Sequence, residues 1–283
     1  KGPNLIKPIC FEGNRVLGLA DYFSEIYSNE GADEIYFQDA VASLYERNNL
    51  LEILKNSASK VTIPITVGGG IRSFEDIYNA LRSGADKVAI NTYAFKDLNF
   101  IKEASKKFGS QCIVSSLEVK NNENFYETWY DYGREPSGKK LQEWFEKLLD
   151  AGIGEIFLSS IDRDGTGLGF DLQMIEIIMK TSHVPVIACS GAGKKEDVLD
   201  VLKNYDCDGV CIGSMFHYKY IKEVETKYMS YDSDELRMGE QIDSGNIEFI
   251  KRGYNEFKDI QVEPSTIKDL KKFIANKGIP VRL

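Results

Sequence analysis

Short runs of β-branched and other apolar residues alternate along the chain with amphipathic stretches of about ten residues. The apolar runs predict strands at Leu5–Cys10, Glu34–Gln38, Thr62–Val67, Lys87–Asn91, Cys112–Glu118, Glu155–Ser160, Val184–Cys189 and Gly209–Ile212. Between them, helical spacing predicts helices over Phe74–Ser83, Leu98–Phe108, Leu141–Ala151 and Glu196–Asn204. In the third, Leu141, Trp144, Phe145, Leu148 and Leu149 fall on one face, a stripe that reads as core. Strands alternating with helices fit either a parallel (β/α)8 barrel or a doubly wound sheet.

An internal repeat chooses the barrel. Pro64 pairs with Pro185, an offset of 185 − 64 = 121, and Gly31/Gly152, Glu34/Glu155, Gly70/Gly191 and Asp76/Asp197 share it. With one extra residue, Asp86 pairs with Asp208 and Thr92 with Ser214. Two similar four-strand halves close into an α/β TIM barrel with twofold pseudo-symmetry. Residues 1–283 are expected to form this single domain. The stretch 219–263, rich in Tyr, Glu, Asp and Lys, breaks the rhythm as an insertion after the eighth strand. A loop there lies on the face where barrel enzymes bind ligands.

Charge and composition then narrow the function. A net charge of −9 lacks the basic footprint of a nucleic-acid binder. No apolar run approaches the roughly 18 residues of a membrane span, and the start, Lys1-Gly2-Pro3-Asn4, carries no signal-peptide pattern. The five cysteines show no metal-type pairing and read as buried thiols of a cytoplasmic protein. With two histidines, a histidine-based metal site or triad is not expected, and neither is an organic cofactor.

Candidate chemistry sits at the strand ends. Gly68-Gly69-Gly70 ends a strand and precedes a helix, where backbone N–H groups approach an anion closely. Asn91-Thr92 ends the next strand with polar side chains. The second half repeats the arrangement with Ser190-Gly191-Ala192-Gly193 and Gly213-Ser214. Two such pairs suit a small molecule with a phosphate at each end. Between them, Ser159-Ser160-Ile161-Asp162-Arg163-Asp164-Gly165-Thr166 offers two carboxylates and several hydroxyls.

These phrases together resemble the cyclase subunit of imidazole glycerol phosphate synthase: I-P-I-T-V-G-G-G-I-R-S, G-A-D-K-V-A-I-N-T, G-E-I-F-L-S-S-I-D-R-D-G-T and P-V-I-A-C-S-G-A-G. The resemblance covers most of the chain outside the insertion. It implies a heterodimer with a glutaminase subunit, whose ammonia enters the N-terminal end of the barrel and meets a bisphosphorylated ribulosyl nucleotide. It implies phosphate contacts at Gly70, Asn91, Thr92, Asp164, Gly165, Gly191 and Ser214, with Gly69, Gly193 and Gly213 beside them. It also implies a charged ammonia gate at Glu34, Lys87 and Glu155.

The departures from that family bear on catalysis. Its two catalytic aspartates end the first and fifth strands, where this chain reads Pro8-Ile9-Cys10-Phe11-Glu12 and Ser116-Leu117-Glu118-Val119-Lys120. Phe11 transfers no proton, and Glu12 is one position on. Glu118 keeps a carboxylate one methylene longer. The family's long lysine-bearing loop is missing after Arg15-Val16-Leu17-Gly18, and Cys189 and Ser190 stand at a phosphate contact. The reading placed first is therefore a divergent paralogue that takes ammonia from a glutaminase and serves a sugar amidotransferase. The alternatives are a genuine histidine-pathway cyclase relying on Glu118, with Glu12 or Asp164, and a non-catalytic scaffold that activates a glutaminase.

Overall fold

The computed structural model describes residues 4–40, 42, 50–228 and 261–282. An antiparallel hairpin of β1 (Asn4–Ile9) and β2 (Glu12–Leu19) opens the chain and leads into α1 (Ala20–Asn29). Parallel strands then alternate with helices: β3 (Ile35–Gln38), α2 (Leu50–Ala58), β4 (Ile65–Gly68), α3 (Phe74–Arg82), β5 (Lys87–Ile90). After α4 (Thr92–Lys96), α5 (Leu98–Phe108) and β6 (Ile113–Asn121) comes a second hairpin, β7 (Tyr126–Tyr130) and β8 (Glu135–Lys140). The chain continues through α6 (Leu141–Asp150), β9 (Glu155–Ser160), α7 (Leu172–Met179), β10 (Val186–Cys189), α8 (Lys195–Asn204), β11 (Gly209–Cys211), α9 (Ser214–Tyr228) and α10 (Ile267–Ala275).

The sheet runs β11-β10-β9-β6-β5-β4-β3, all parallel, and curls into a nearly closed α/β barrel. The expected barrel thus forms, with one difference. Among the described residues, β1 pairs with β2 and not with either sheet edge. The turn that allows this falls on Cys10 (φ 50°) and Phe11 (φ 63°), the paired left-handed residues of a tight hairpin. Local periodicity shows an apolar strand here but not its partner. The β7–β8 hairpin, built out from the fifth barrel strand, was likewise not anticipated.

The two halves match in detail. Asp86 Oδ2 accepts the Ile65 N–H at 2.8 Å, and Asp208 Oδ2 accepts the Val186 N–H at 2.9 Å. Asp76 accepts the Arg72 N–H at 3.1 Å ahead of α3, and Asp197 accepts the Gly193 and Lys194 N–H groups at 2.9 and 3.0 Å ahead of α8. These aspartates accept backbone donors just ahead of each helix, so the repeat preserves capping as well as ligand loops.

The helices pack their apolar faces on the outside of the sheet. The stripe predicted on α6 is buried at Leu141, Trp144, Phe145 and Leu148. A second, small apolar cluster lies apart from that core: Ala89, Val114 and Phe157 with Tyr36, Ile187, Cys189 and Cys211. Its members come from every described strand flank of the barrel except β4, which makes it the packing of the bore. Near the chain ends, Lys271 Nζ lies 2.7 Å and Arg282 Nε 3.2 Å from Asp33 Oδ1, tying α10 and the last residues to the approach to β3. Most of the segment expected as an insertion lies outside the described residues.

Candidate functional site

Glu118 lies near the C-terminal end of the parallel part of β6, with 3% of its surface exposed. Its Oε2 accepts the Gly133 N–H at 2.8 Å. Burial drives its pKa up to about 7, against the opposing pull of that N–H and of Asn91. Gly133 follows Asp131 and Tyr132, all three in left-handed backbone (φ 55°, 57° and 66°), so the turn after β7 is shaped to aim its amide at the carboxyl.

Asp164, in the loop after β9, faces the β1–β2 turn. Its Oδ2 accepts the Phe11 N–H at 3.3 Å, and its backbone carbonyl accepts the Cys10 N–H at 2.9 Å. Burial raises its pKa to about 6, outweighing the Phe11 N–H and the charge of Lys7. Tyr132 links the two carboxyls: burial, then Asp164, then Glu118 all push its hydroxyl toward the neutral form. Phe11 packs its ring on Tyr132 at 4.8 Å, and a Cβ on Gly133 would come within 2.6 Å of Phe11. An aromatic cover therefore stands where the resemblance places an aspartate. Glu12 is exposed and pairs with Ile9 in the hairpin, so it does not join the site.

Sequence reasoning missed Lys7. It is 4% exposed, donates from Nζ to the Gly165 carbonyl at 3.2 Å, and stands over the Tyr218 ring at 5.4 Å. Burial lowers its pKa to about 8, against attraction from Asp164. A lysine inside an apolar strand was the available signal. The other residues of the same loop divide differently from expectation. Asp162 accepts the Asn121 N–H at 2.7 Å and Thr166 donates to the Arg163 carbonyl at 2.8 Å, so both hold the loop rather than the site.

The two glycine loops share one conformation. Gly69 and Gly70 have φ of 99° and 74°; Ser190 and Gly191, 121 residues on, have 79° and 102°. Close backbone packing also demands these glycines. A Cβ on Gly69 would lie 2.7 Å from the Asp39 carbonyl, on Gly191 2.2 Å from that of Gly169, and on Gly193 2.1 Å from that of Gly167. Gly165 is crowded in the same way by the Pro8 carbonyl, at 2.5 Å. Asn91 Nδ2 donates to the Trp129 carbonyl at 3.2 Å and Thr92 Oγ1 accepts the Asp131 N–H at 3.1 Å, so the β7–β8 hairpin engages both. Gly213 and Ser214 open α9, with the His217 N–H on the Gly213 carbonyl at 2.9 Å.

At the opposite end of the barrel, Lys87 Nζ reaches Glu34 Oε2 at 2.8 Å and Glu155 Oε2 at 2.7 Å. Thr66 donates a further short hydrogen bond to Glu34. Burial disfavours the ammonium, yet the hydrogen bonds and charges of Glu155 and Glu34 together raise the Lys87 pKa. The three residues expected at one charged ring are brought together. The described residues hold no cluster of three or more His, Cys, Asp or Glu arranged for a metal, and none of their helices is long and apolar enough to cross a membrane.

A family model described as "Histidine biosynthesis protein" matches residues 4–222. The chain is 49% identical over 198 residues to the Imidazole glycerol phosphate synthase subunit HisF of Legionella pneumophila, covering 70% of this chain and 93% of the relative. It is 40% identical over 220 residues to the subunit of that name from Lactococcus lactis subsp. cremoris, covering 77% and 85%. With that of Saccharolobus solfataricus it shares 38% over 239 residues, covering 84% and 95%. The chain belongs to the histidine biosynthesis protein family, in its HisF-type cyclase branch.

Proposed function

We propose, from membership of that branch, that this barrel is the ammonia-accepting cyclase subunit of an imidazole glycerol phosphate synthase, working as a heterodimer with a glutaminase subunit. The names of its relatives favour this reading over the sugar-amidination paralogue placed first on the sequence. The observation that carries it is Glu118: a buried carboxyl at the open end of the barrel, with a pKa of about 7. Adding ammonia to a carbonyl and expelling water requires protons to be given and taken near neutral pH, and Glu118 is poised for both. Asp164, with a pKa of about 6, is the second acid–base group. The loops at Gly69-Gly70 with Asn91-Thr92, and at Gly191–Gly193 with Gly213-Ser214, hold the two phosphates, with Asp164 and Gly165 between them. Lys87, Glu34 and Glu155 form the ammonia entrance on the glutaminase side.

The test is turnover of the bisphosphorylated ribulosyl nucleotide by the complex with a glutaminase subunit, supplied with glutamine or with ammonium chloride. Both nitrogen sources should support turnover, and Glu118→Gln should lower it by roughly 10²–10⁴-fold. One observation favours a second reading. Phe11, packed on Tyr132, covers the end of the first strand, where the resemblance places a catalytic carboxylate. A complex that forms and hydrolyses glutamine faster than the glutaminase alone, yet leaves the nucleotide untouched, would transfer the assignment to a paralogue serving a sugar amidotransferase. Binding of a bisphosphorylated ligand, abolished in Gly191→Asp, separates either enzyme from a scaffold.

A further inference from the structure

The repeat has a consequence inside the bore. Tyr36 and Phe157 stand at equivalent positions, 36 + 121 = 157, and their rings stack with centroids 3.9 Å apart and planes 7° from parallel. Side chains related by the pseudo-twofold meet at its axis, which runs along the bore. The period of two along a strand puts Glu34 and Glu155 one step below these rings on the same faces. Above them, on those faces, stand Gln38 and Ser159. The Tyr36 hydroxyl donates to Gln38 Oε1 at 2.7 Å and lies 3.4 Å from Ser116 Oγ. The surrounding wall makes room: Ala89 is small, and a Cβ on Gly68 would lie 2.2 Å from Gln38 Oε1 and 2.7 Å from the Tyr36 hydroxyl.

We propose that the Tyr36–Phe157 pair is a closed aromatic constriction midway along the bore that admits uncharged ammonia and excludes ammonium ion and water. This rests on the ammonia-accepting reading above and adds the two side chains that select what crosses. Around the rings, Ala89, Val114, Ile187, Cys189 and Cys211 bring no formal charge. An ammonium ion at this depth would lose its water without a counter-charge, a cost that a neutral molecule escapes. Apolar constrictions exclude water in channels on the same physical ground. Burial keeps the Tyr36 hydroxyl protonated. Parting the rings breaks one stack and frees one hydroxyl, a small local motion within a rigid wall.

Two measurements test it. Crystals of the wild type and of Phe157→Ala are pressurised with xenon; the atom should occupy the vacated ring position in the variant and be absent from the bore at that height in the wild type. In the glutaminase complex, nucleotide turned over per glutamate released should fall at least threefold in Phe157→Ala as the bore floods, while turnover with added ammonium chloride stays within twofold. Phe157→Leu retains apolar bulk, guards against a misfolded alanine variant, and should give an intermediate ratio. Xenon beside the rings in the wild type, or equal ratios in all three proteins, overturns the constriction. So does glutamine-driven turnover that appears only in Phe157→Ala, since the pair would then be a permanent plug. Failure of the cyclase reading looks different: the wild type turns over nucleotide with neither nitrogen source, and the constriction falls with it.

Discussion

The two ends of the barrel bury carboxylates to opposite effect. At the N-terminal end, Glu34 and Glu155 share Lys87 at 2.8 and 2.7 Å, and the charges are held in place. At the C-terminal end, backbone N–H groups donate to Glu118 and Asp164, and burial lifts their pKa values to about 7 and 6. One end fixes its charge; the other keeps protons that can be exchanged. Burial at the mouth is costly to the fold, which is how acid–base groups are tuned to neutral pH.

The strongest challenge to this contrast is a stability profile against pH. Glu118 has a folded pKa of about 7 against an ordinary value of 4.5, so the fold favours the neutral acid. Its contribution is intact below pH 4.5 and is lost as pH rises to 7, by about 3 kcal/mol at 1.36 kcal/mol per unit. In Glu118→Gln this slope should vanish, leaving the variant more stable than the wild type by up to about 3 kcal/mol at pH 8 and no more stable at pH 4. Asp164 slopes the same way in both proteins and cancels in the difference. Parallel urea midpoints for the two proteins between pH 4 and 8 would end the contrast.

The charged ring should respond with the opposite sign. Lys87→Met leaves two half-buried carboxylates facing each other. Breaking a fully buried pair costs about 3–5 kcal/mol, and partial exposure here reduces the expected loss to about 1–2 kcal/mol at pH 7. The loss should shrink as pH falls and Glu155, whose pKa burial already raises, takes up a proton. Chemical denaturation at pH 5 and 7 checks both size and trend. A stabilised Lys87→Met would show that the ring is no better matched than the mouth.

The smallest effect belongs to the caps. Asp76→Ala and Asp197→Ala should each cost about 1 kcal/mol. Their losses should be similar, since the repeat assigns both the same work. Thermal unfolding of the two variants measures this. Unequal losses would mean that the halves share geometry but not energetics.

Much of this was legible in the chain because it is local or periodic. The strand–glycine–helix units and the α6 stripe follow from spacing and from an offset that recurs, whereas the three ring charges are implied only by the family resemblance. What escaped depends on partners distant in sequence. Nothing near Leu5–Cys10 says that this strand turns at Cys10-Phe11 to pair with β2 instead of the parallel sheet. Lys7 could be noticed as an odd residue in a strand, but its partner Gly165 lies 158 positions away. Tyr36 and Phe157 were readable in principle, since the offset that matched Glu34 with Glu155 also matches them. Two different aromatic residues simply did not look like a repeat. Glu12, offered on the sequence as a partner for Glu118, stands exposed beyond the Cys10-Phe11 turn.

The hairpin made by β1 and β2 leaves the barrel with a seam. Around the parallel sheet, pulling two strands apart along their length must shear a whole ladder at once. In the hairpin, the ladder can open one residue pair at a time from the Asn4–Leu19 pair. A tether pulling on the N-terminus should therefore meet its first resistance as a gradual unzipping at low force, with the parallel strands yielding later in an abrupt step. The carboxyl of Asp164 loses its Phe11 donor in that first stage, so the mouth would be mechanically exposed while the barrel is still intact.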